Sequence, residues 1–231
     1  MKFKFFVVFV CLVCCLLPGM SLAQDKVVVI PLDSGNCDCN EIPTVTSAGG
    51  RVWMDRNLGA YRVAQSIDDY RAYGWMYQWG RLADGHELRS SPTTTTISIG
   101  DVPGHGDFIT NSSSPFDWRD GQNDNLWQGV SGTNNPCPAG FRLPTETEWE
   151  AEIASWSSNN AAGAFASPLK LVAAGFRSNS DGAFSGVGIN GYYWSSTVIS
   201  RNACYMHTNL SDAYTYNSNR SRGYNVRCIK D

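Results

Sequence analysis

The chain has 231 residues, 42% of them apolar, which is enough to bury one sizeable core and fits a single domain. Its 18 Lys and Arg face 21 Asp and Glu, for a formal charge of −3, and they form no basic cluster. That excludes the electrostatic footprint of a nucleic-acid binder.

Lys2 and Lys4 precede an apolar run over residues 5–17, Pro18 and Gly19 break it, and Ser21-Leu22-Ala23 offers a small-x-small cleavage point before Gln24. Residues 1–23 therefore read as a secretory signal peptide. The run is shorter than the roughly 20 apolar residues of a spanning helix, so no membrane span is expected after cleavage. Loss of the two lysines would move the formal charge from −3 to −5. The expected location is secreted, extracellular or at the cell surface. Cys11, Cys14 and Cys15 leave with the peptide, and Cys37, Cys39, Cys137, Cys204 and Cys228 remain. An odd number in an oxidising compartment leaves at least one thiol without a partner in the chain.

Residues 24–44 read as a leader, with a β-prone run over 27–32 and a polar turn carrying Cys37 and Cys39, which are too close in sequence to bridge easily without strain. The main domain is expected over residues 45–231. Residues 45–54 are strand-prone around Gly49-Gly50, a hairpin signal. Ser66 and Asp69 have capping-box spacing, which predicts a short helix through about Tyr73, ended by Gly74. Residues 90–135 are rich in Ser, Thr, Asn, Asp, Gly and Pro and predict a long irregular loop. At Cys137-Pro138-Ala139-Gly140 a turn is expected, and Thr145 with Glu148 forms a second capping box. A helix should begin at Glu146, with Trp149, Ile153 and Trp156 on one apolar stripe. Residues 169–174 read as a buried strand, and 192–194, 203–210 and 224–229 as the closing strands. Two short helices among small strands define an α+β fold.

Five segments carry a resemblance: Val52-Trp53-Met54-Asp55-Arg56-Asn57-Leu58-Gly59, Tyr77-Gln78-Trp79-Gly80-Arg81, Cys137-Pro138-Ala139-Gly140-Phe141-Arg142-Leu143-Pro144-Thr145, Gly191-Tyr192-Tyr193-Trp194-Ser195-Ser196 and Gly223-Tyr224-Asn225-Val226-Arg227-Cys228. In this order they resemble the Fibrobacter succinogenes major paralogous domain (FISUMP) family, which is similar to the formylglycine-generating, sulfatase-modifying branch of the C-type-lectin-like fold. The resemblance implies that fold over residues 45–231, with small antiparallel sheets and long irregular loops. It also implies a disulfide between Cys137 and Cys228, tying the last strand to the start of the second helix. Trp53, Trp75, Trp79, Trp149 and Trp194 read as core, and Arg142 and Arg227 as edge arginines that tie strands to loops.

This fold hosts enzymes and binding proteins alike, so function has to come from the site. Formylglycine-generating relatives use a cysteine pair near the position of Cys204, and Cys204 stands alone here. Sulfoxide synthases of the same branch hold iron through two histidines four residues apart, whereas His86, His105 and His207 are not so spaced. No nucleophile elbow, phosphate loop or His-Glu-x-x-His is present. An enzyme is therefore not expected, and no cofactor is called for. Calcium is the one ion with a candidate: Asp117, Asp120 and Asp124 concentrate oxygen ligands over residues 117–125, alongside Trp118 and Trp127. The alternative is a polar turn capped by its own Asx side chains, with the two indoles anchoring it.

Residues 198–222 are dominated by Tyr, Ser, Asn, Arg and Asp, the alphabet of antibody loops. They are also similar to the variable region of diversity-generating retroelement target proteins. Both readings point to recognition of an extracellular carbohydrate or protein ligand through Arg201, His207, Asn209, Asp212, Tyr214, Tyr216 and Asn217. These seven are expected on one continuous exposed face, and strand alternation sets Tyr205, His207 and Asn209 against a core face of Cys204, Met206, Thr208 and Leu210. The competing readings are that polar residues simply solvate these loops, and that the protein is a structural or adhesive surface module.

Overall fold

The structure, a computed structural model, describes residues 42–231. The expected signal peptide, the 27–32 run, Cys37 and Cys39 lie outside the described residues. Three-residue strands β1 (Thr44–Thr46) and β2 (Val52–Met54) form the hairpin foreseen at Gly49-Gly50, with Gly50 at φ +80° supplying the left-handed turn residue. There follow β3 (Tyr77–Gln78), β4 (Thr93–Thr94), β5 (Phe108–Ile109) and β6 (Phe141–Arg142), then helices α1 (Glu146–Ala154) and α2 (Ala161–Ala166). The chain finishes with β7 (Phe176–Arg177), β8 (Phe184–Ser185), β9 (Gly191–Ile199), β10 (Asn202–Thr208), β11 (Ala213–Ser218), β12 (Gly223–Tyr224) and β13 (Ile229–Lys230).

These strands make three small antiparallel sheets, ordered β1-β2-β13-β6, β11-β10-β9 and β3-β12-β7-β8, and one parallel pair, β4-β5. With two α-helices among the described residues, this is a mixed fold in which helices and antiparallel strands are segregated. None of the described helices is long and apolar enough to cross a membrane.

α1 begins where its capping box dictates. Thr145 Oγ1 accepts from Glu148 N at 3.2 Å, and Glu148 Oε2 accepts from Thr145 N at 2.8 Å. A bulge in β9 completes this end, because Thr197 Oγ1 accepts the otherwise unpaired Glu146 N–H at 2.9 Å. Trp149 faces inward against Trp53 (ring centroids 5.0 Å apart) and Tyr193 (5.7 Å), in a core completed by Met206, Ala213 and Ile229. Five buried indoles donate to backbone carbonyls: Trp79 to Ser195, Trp118 to Trp79, Trp127 to Asn134, Trp149 to Trp194 and Trp194 to Tyr77. Four of these bonds tie segments far apart in sequence, and the Trp127 bond closes the 90–135 loop on itself. Trp118, through its bond to Trp79, and Trp127, packed 5.5 Å from the Trp79 ring, anchor that loop, and both are wholly buried. The Cys137–Cys228 disulfide joins the β6 approach to the final strand.

Four expectations are corrected. The Ser66 capping box does not form: Ser66 Oγ donates to Asp68, and Asp69 itself caps a single 3₁₀ turn at Tyr70–Ala72 while Arg62 clamps its carboxylate. Residues 169–174 are buried except for the partly buried Lys170, and they pair with no strand among the described residues. The Tyr193 phenol both donates to Val172 O and accepts from Val172 N at 2.8 Å, standing in for a neighbouring strand. α2, capped by Asn160, was not foreseen, since its Ala-Ala-Gly-Ala-Phe-Ala sequence has no polar face to set a period. Trp75 is only partly buried, unlike the other four core indoles.

Candidate ligand-binding face

The β9-β10-β11 sheet carries an aromatic grid. Register sets Trp194, Tyr205 and Tyr216 side by side across the three strands, and Tyr192, His207 and Tyr214 likewise one pleat further on. All six point to one face, because each strand contributes an i, i+2 pair. The face opposite carries Met206 and Ala213 into the core beneath α1. Tyr224 of β12 covers the inner part of the grid, 4.4 Å from the Trp194 ring and 4.9 Å from Tyr205. Exposure therefore rises outward, to 44% at Tyr214 and 61% at Tyr216. Burial raises the phenols of Tyr192, Tyr205 and Tyr224 above their ordinary value, so they remain neutral donors at physiological pH.

Beside Tyr216 lies a cavity of about 360 Å³ lined by Asn202, Tyr205, Asn217, Asn219 and Arg222. It offers ring faces, amides and one guanidinium, which stacks 5.3 Å from the Phe176 ring centre. On the far side of β11, Tyr214 and Thr215 border a groove of about 540 Å³ against Glu150, Ile153 and Trp156.

The seven expected contact residues do not share one exposed face. Tyr214 and Tyr216 are exposed together, while His207 between them and β9 is only 5% exposed, its ring tilted against Tyr192 at 4.6 Å and Tyr214 at 5.0 Å. Its Nδ1 has no hydrogen-bond partner, and burial lowers its pKa, so it is a neutral element of the grid rather than a contact. Asn209 and Asp212 close the β10–β11 turn: Asn209 Oδ1 accepts from the Ser211 and Asp212 amides, and its Nδ2 donates to Asp212 Oδ1. Arg201 sits on the opposite hairpin turn and donates to Ser114 Oγ at 3.1 Å. Asn217 pairs with Cys204 in the ladder and so alternates away from the two tyrosines, although it lines the cavity end and accepts from Asn202 at 2.6 Å. The residues missed are Tyr192, Tyr205 and Arg222. Period-two aromatic pairs at 192/194, 205/207 and 214/216 were the available signal.

The proposed calcium ligands do not converge. Asp117 is buried and caps Trp118 N at 2.7 Å, Asp124 is engaged by Arg220, and Asp120 is exposed. Among the described residues the acidic and imidazole side chains gather in a threesome at Asp84, His86 and Glu87. There His86 Nδ1 meets Asp84 at 2.7 Å and Nε2 accepts from Gln78 N at 3.1 Å, so the ring's hydrogen-bonding capacity is used. Burial pushes this imidazole down to about 4. The cluster is a structural tie.

Among the described residues Cys204 has no disulfide partner; its thiol is fully buried, and burial with Glu146 nearby pushes its pKa up to about 12. Such a thiol supplies almost no thiolate at neutral pH.

No family model matches the chain, and neither a curated protein nor a solved structure matches it.

Proposed function

We propose that this is a secreted or cell-surface, non-enzymatic ligand-binding protein of the FISUMP type with a C-type-lectin-like fold. It recognises an extracellular carbohydrate or protein through the open edge of the β9-β10-β11 aromatic grid. The observation that carries the reading is the pair of solvent-exposed rings, Tyr214 beside the buried His207 ring (5.0 Å) and Tyr216 beside the Arg222 cavity. Rigid amphipathic rings give contact area at low entropic cost, and the surrounding Asn and Arg side chains give adaptable hydrogen bonds. The contact set is accordingly centred on Tyr214, Tyr216, Asn217 and Arg222, with His207 and Asn209 as supports. Against the formylglycine-generating alternative stands the buried, protonated state of Cys204. An adhesive role would instead use the same face for self-association.

The test is a glycan and protein array probed with the purified chain. Hits should weaken tenfold or more in Tyr214→Ala/Tyr216→Ala, and persist in Cys204→Ser. Hits indifferent to the double tyrosine change, or a turnover lost in Cys204→Ser, would overturn the reading.

A further inference from the structure

Away from the grid, a cavity of about 260 Å³ is bounded by Tyr61, Tyr70, Trp75, Arg71, Arg89 and Ser90. Its shape depends on two left-handed glycines. Gly59 (φ +75°) allows the Trp75 indole to pack on its backbone, since a Cβ there would fall 2.1 Å from the ring. Gly74 (φ +70°) turns the chain beneath it, where a Cβ would fall 2.4 Å from Leu58 O. The cavity is therefore a built feature of the 58–75 turns.

Its charge is one-sided. Arg71 and Arg89 line it, no Asp or Glu does, and neither guanidinium lies within 4.0 Å of a carboxylate among the described residues. The nearby Arg56 and Arg62, by contrast, are bound to Asp55 and Asp69. Arg89 lies 4.4 Å over the Phe184 ring and 5.4 Å over Tyr73, and among the described residues its Nη1 is buried without a partner while its Nη2 donates to Ala174 O at 3.4 Å. A guanidinium stacked on rings and without a carboxylate partner, lining a cavity beside a second such arginine, is a prepared site for an anionic acceptor. Tyr61 and Tyr70, 87% and 71% exposed, supply ring faces at the mouth.

We propose that this pocket binds a single small ring, sugar or aromatic, bearing one carboxylate, sulfate or phosphate. The anion meets the Arg71 and Arg89 forks, and the ring lies against Trp75 and the two tyrosines. The volume of about 260 Å³ is that of a single ring with its anion. The site is independent of the β9-β10-β11 face.

Isothermal titration of the purified chain uses four probes: glucuronate, phenyl phosphate, methyl glucoside and inorganic phosphate. At least one anionic ring should bind tenfold or more tighter than methyl glucoside and than inorganic phosphate. Glucuronate alone assigns sugar acids, and phenyl phosphate alone assigns aryl phosphates. Arg71→Ala and Arg89→Gln should each weaken that binding about tenfold, as expected for loss of a charge-assisted hydrogen bond. Arg71 is exposed, so its variant carries the test even if Arg89→Gln fails to fold. Absence of binding by both anionic rings at millimolar concentration, or affinity unchanged in Arg71→Ala, overturns the proposal. So does binding that survives Arg71→Ala and is lost in Tyr216→Ala, which would move the ring to the sheet.

Discussion

Asp117 and His86 are buried titratable side chains that burial moves in opposite directions, to about 6 and about 4. For Asp117 the folded carboxyl binds its proton more tightly than the unfolded one. The cost of its desolvated charge therefore builds up as pH rises from about 4 to about 6, reaching about 3 kcal/mol. For His86 the unfolded imidazole takes a proton that the folded one refuses, so about 3 kcal/mol is lost as pH falls from about 6.5 to about 4. The two slopes offset each other in the intact chain. Asp117→Asn keeps an acceptor for Trp118 N and removes one of them. Urea unfolding should find the variant more stable than the parent at pH 7, by up to about 3 kcal/mol, with the advantage gone near pH 4. A pH-independent difference would count against this assignment. Arg227 shows the complementary solution: burial pushes it down to about 10, and it donates to Asn57 Oδ1 and to the Met54 and Leu169 carbonyls, tying strands as an edge arginine should.

At the scale of elements, α1 is the one whose start was legible to the residue. Thr145 and Glu148 satisfy each other's backbone groups without outside help, so four residues suffice to specify the end. The tertiary fold then adds to Glu148 what the sequence did not disclose. Burial alone would raise its carboxyl, but Arg142, the Thr145 amide and Arg51 hold it down at about 2. Its stabilisation is therefore present above about pH 4.5 and lost as pH falls toward 2. Thr145→Ala should cost about 1 kcal/mol at pH 7, as for other lost caps. Glu148→Gln should cost about 2 kcal/mol there, with the deficit narrowing steadily in chemical unfolding between pH 4.5 and 2. The Ser66 box had the same spacing and failed, because Arg62 competes for Asp69 from outside the local segment. Residues 169–174 failed differently: burial and apolarity were legible, whereas the partner of their backbone, a tyrosine hydroxyl 21 residues away, was not.

For the whole molecule, the disulfide and the indole bonds decide how distant segments meet. Cys137 and Cys228 close a loop of 91 residues in sequence separation. Cys137→Ser/Cys228→Ser should destabilise by about 4 to 5 kcal/mol in guanidinium unfolding if constraint of the unfolded chain is the main effect. A loss below about 1 kcal/mol would assign the stability to the tryptophan network instead. By itself the sequence determined what is written in short-range stereochemistry and composition: the Gly49-Gly50 hairpin, the Thr145 cap, the α+β mixture and an aromatic-polar C-terminal segment. Only the tertiary structure decided that His207 is buried, that Asp117 and Asp124 are spent on a backbone amide and on Arg220, and that Tyr224 covers the inner grid. The reason is that alternation fixes which residues share a strand face, but burial of that face depends on what another part of the chain lays across it.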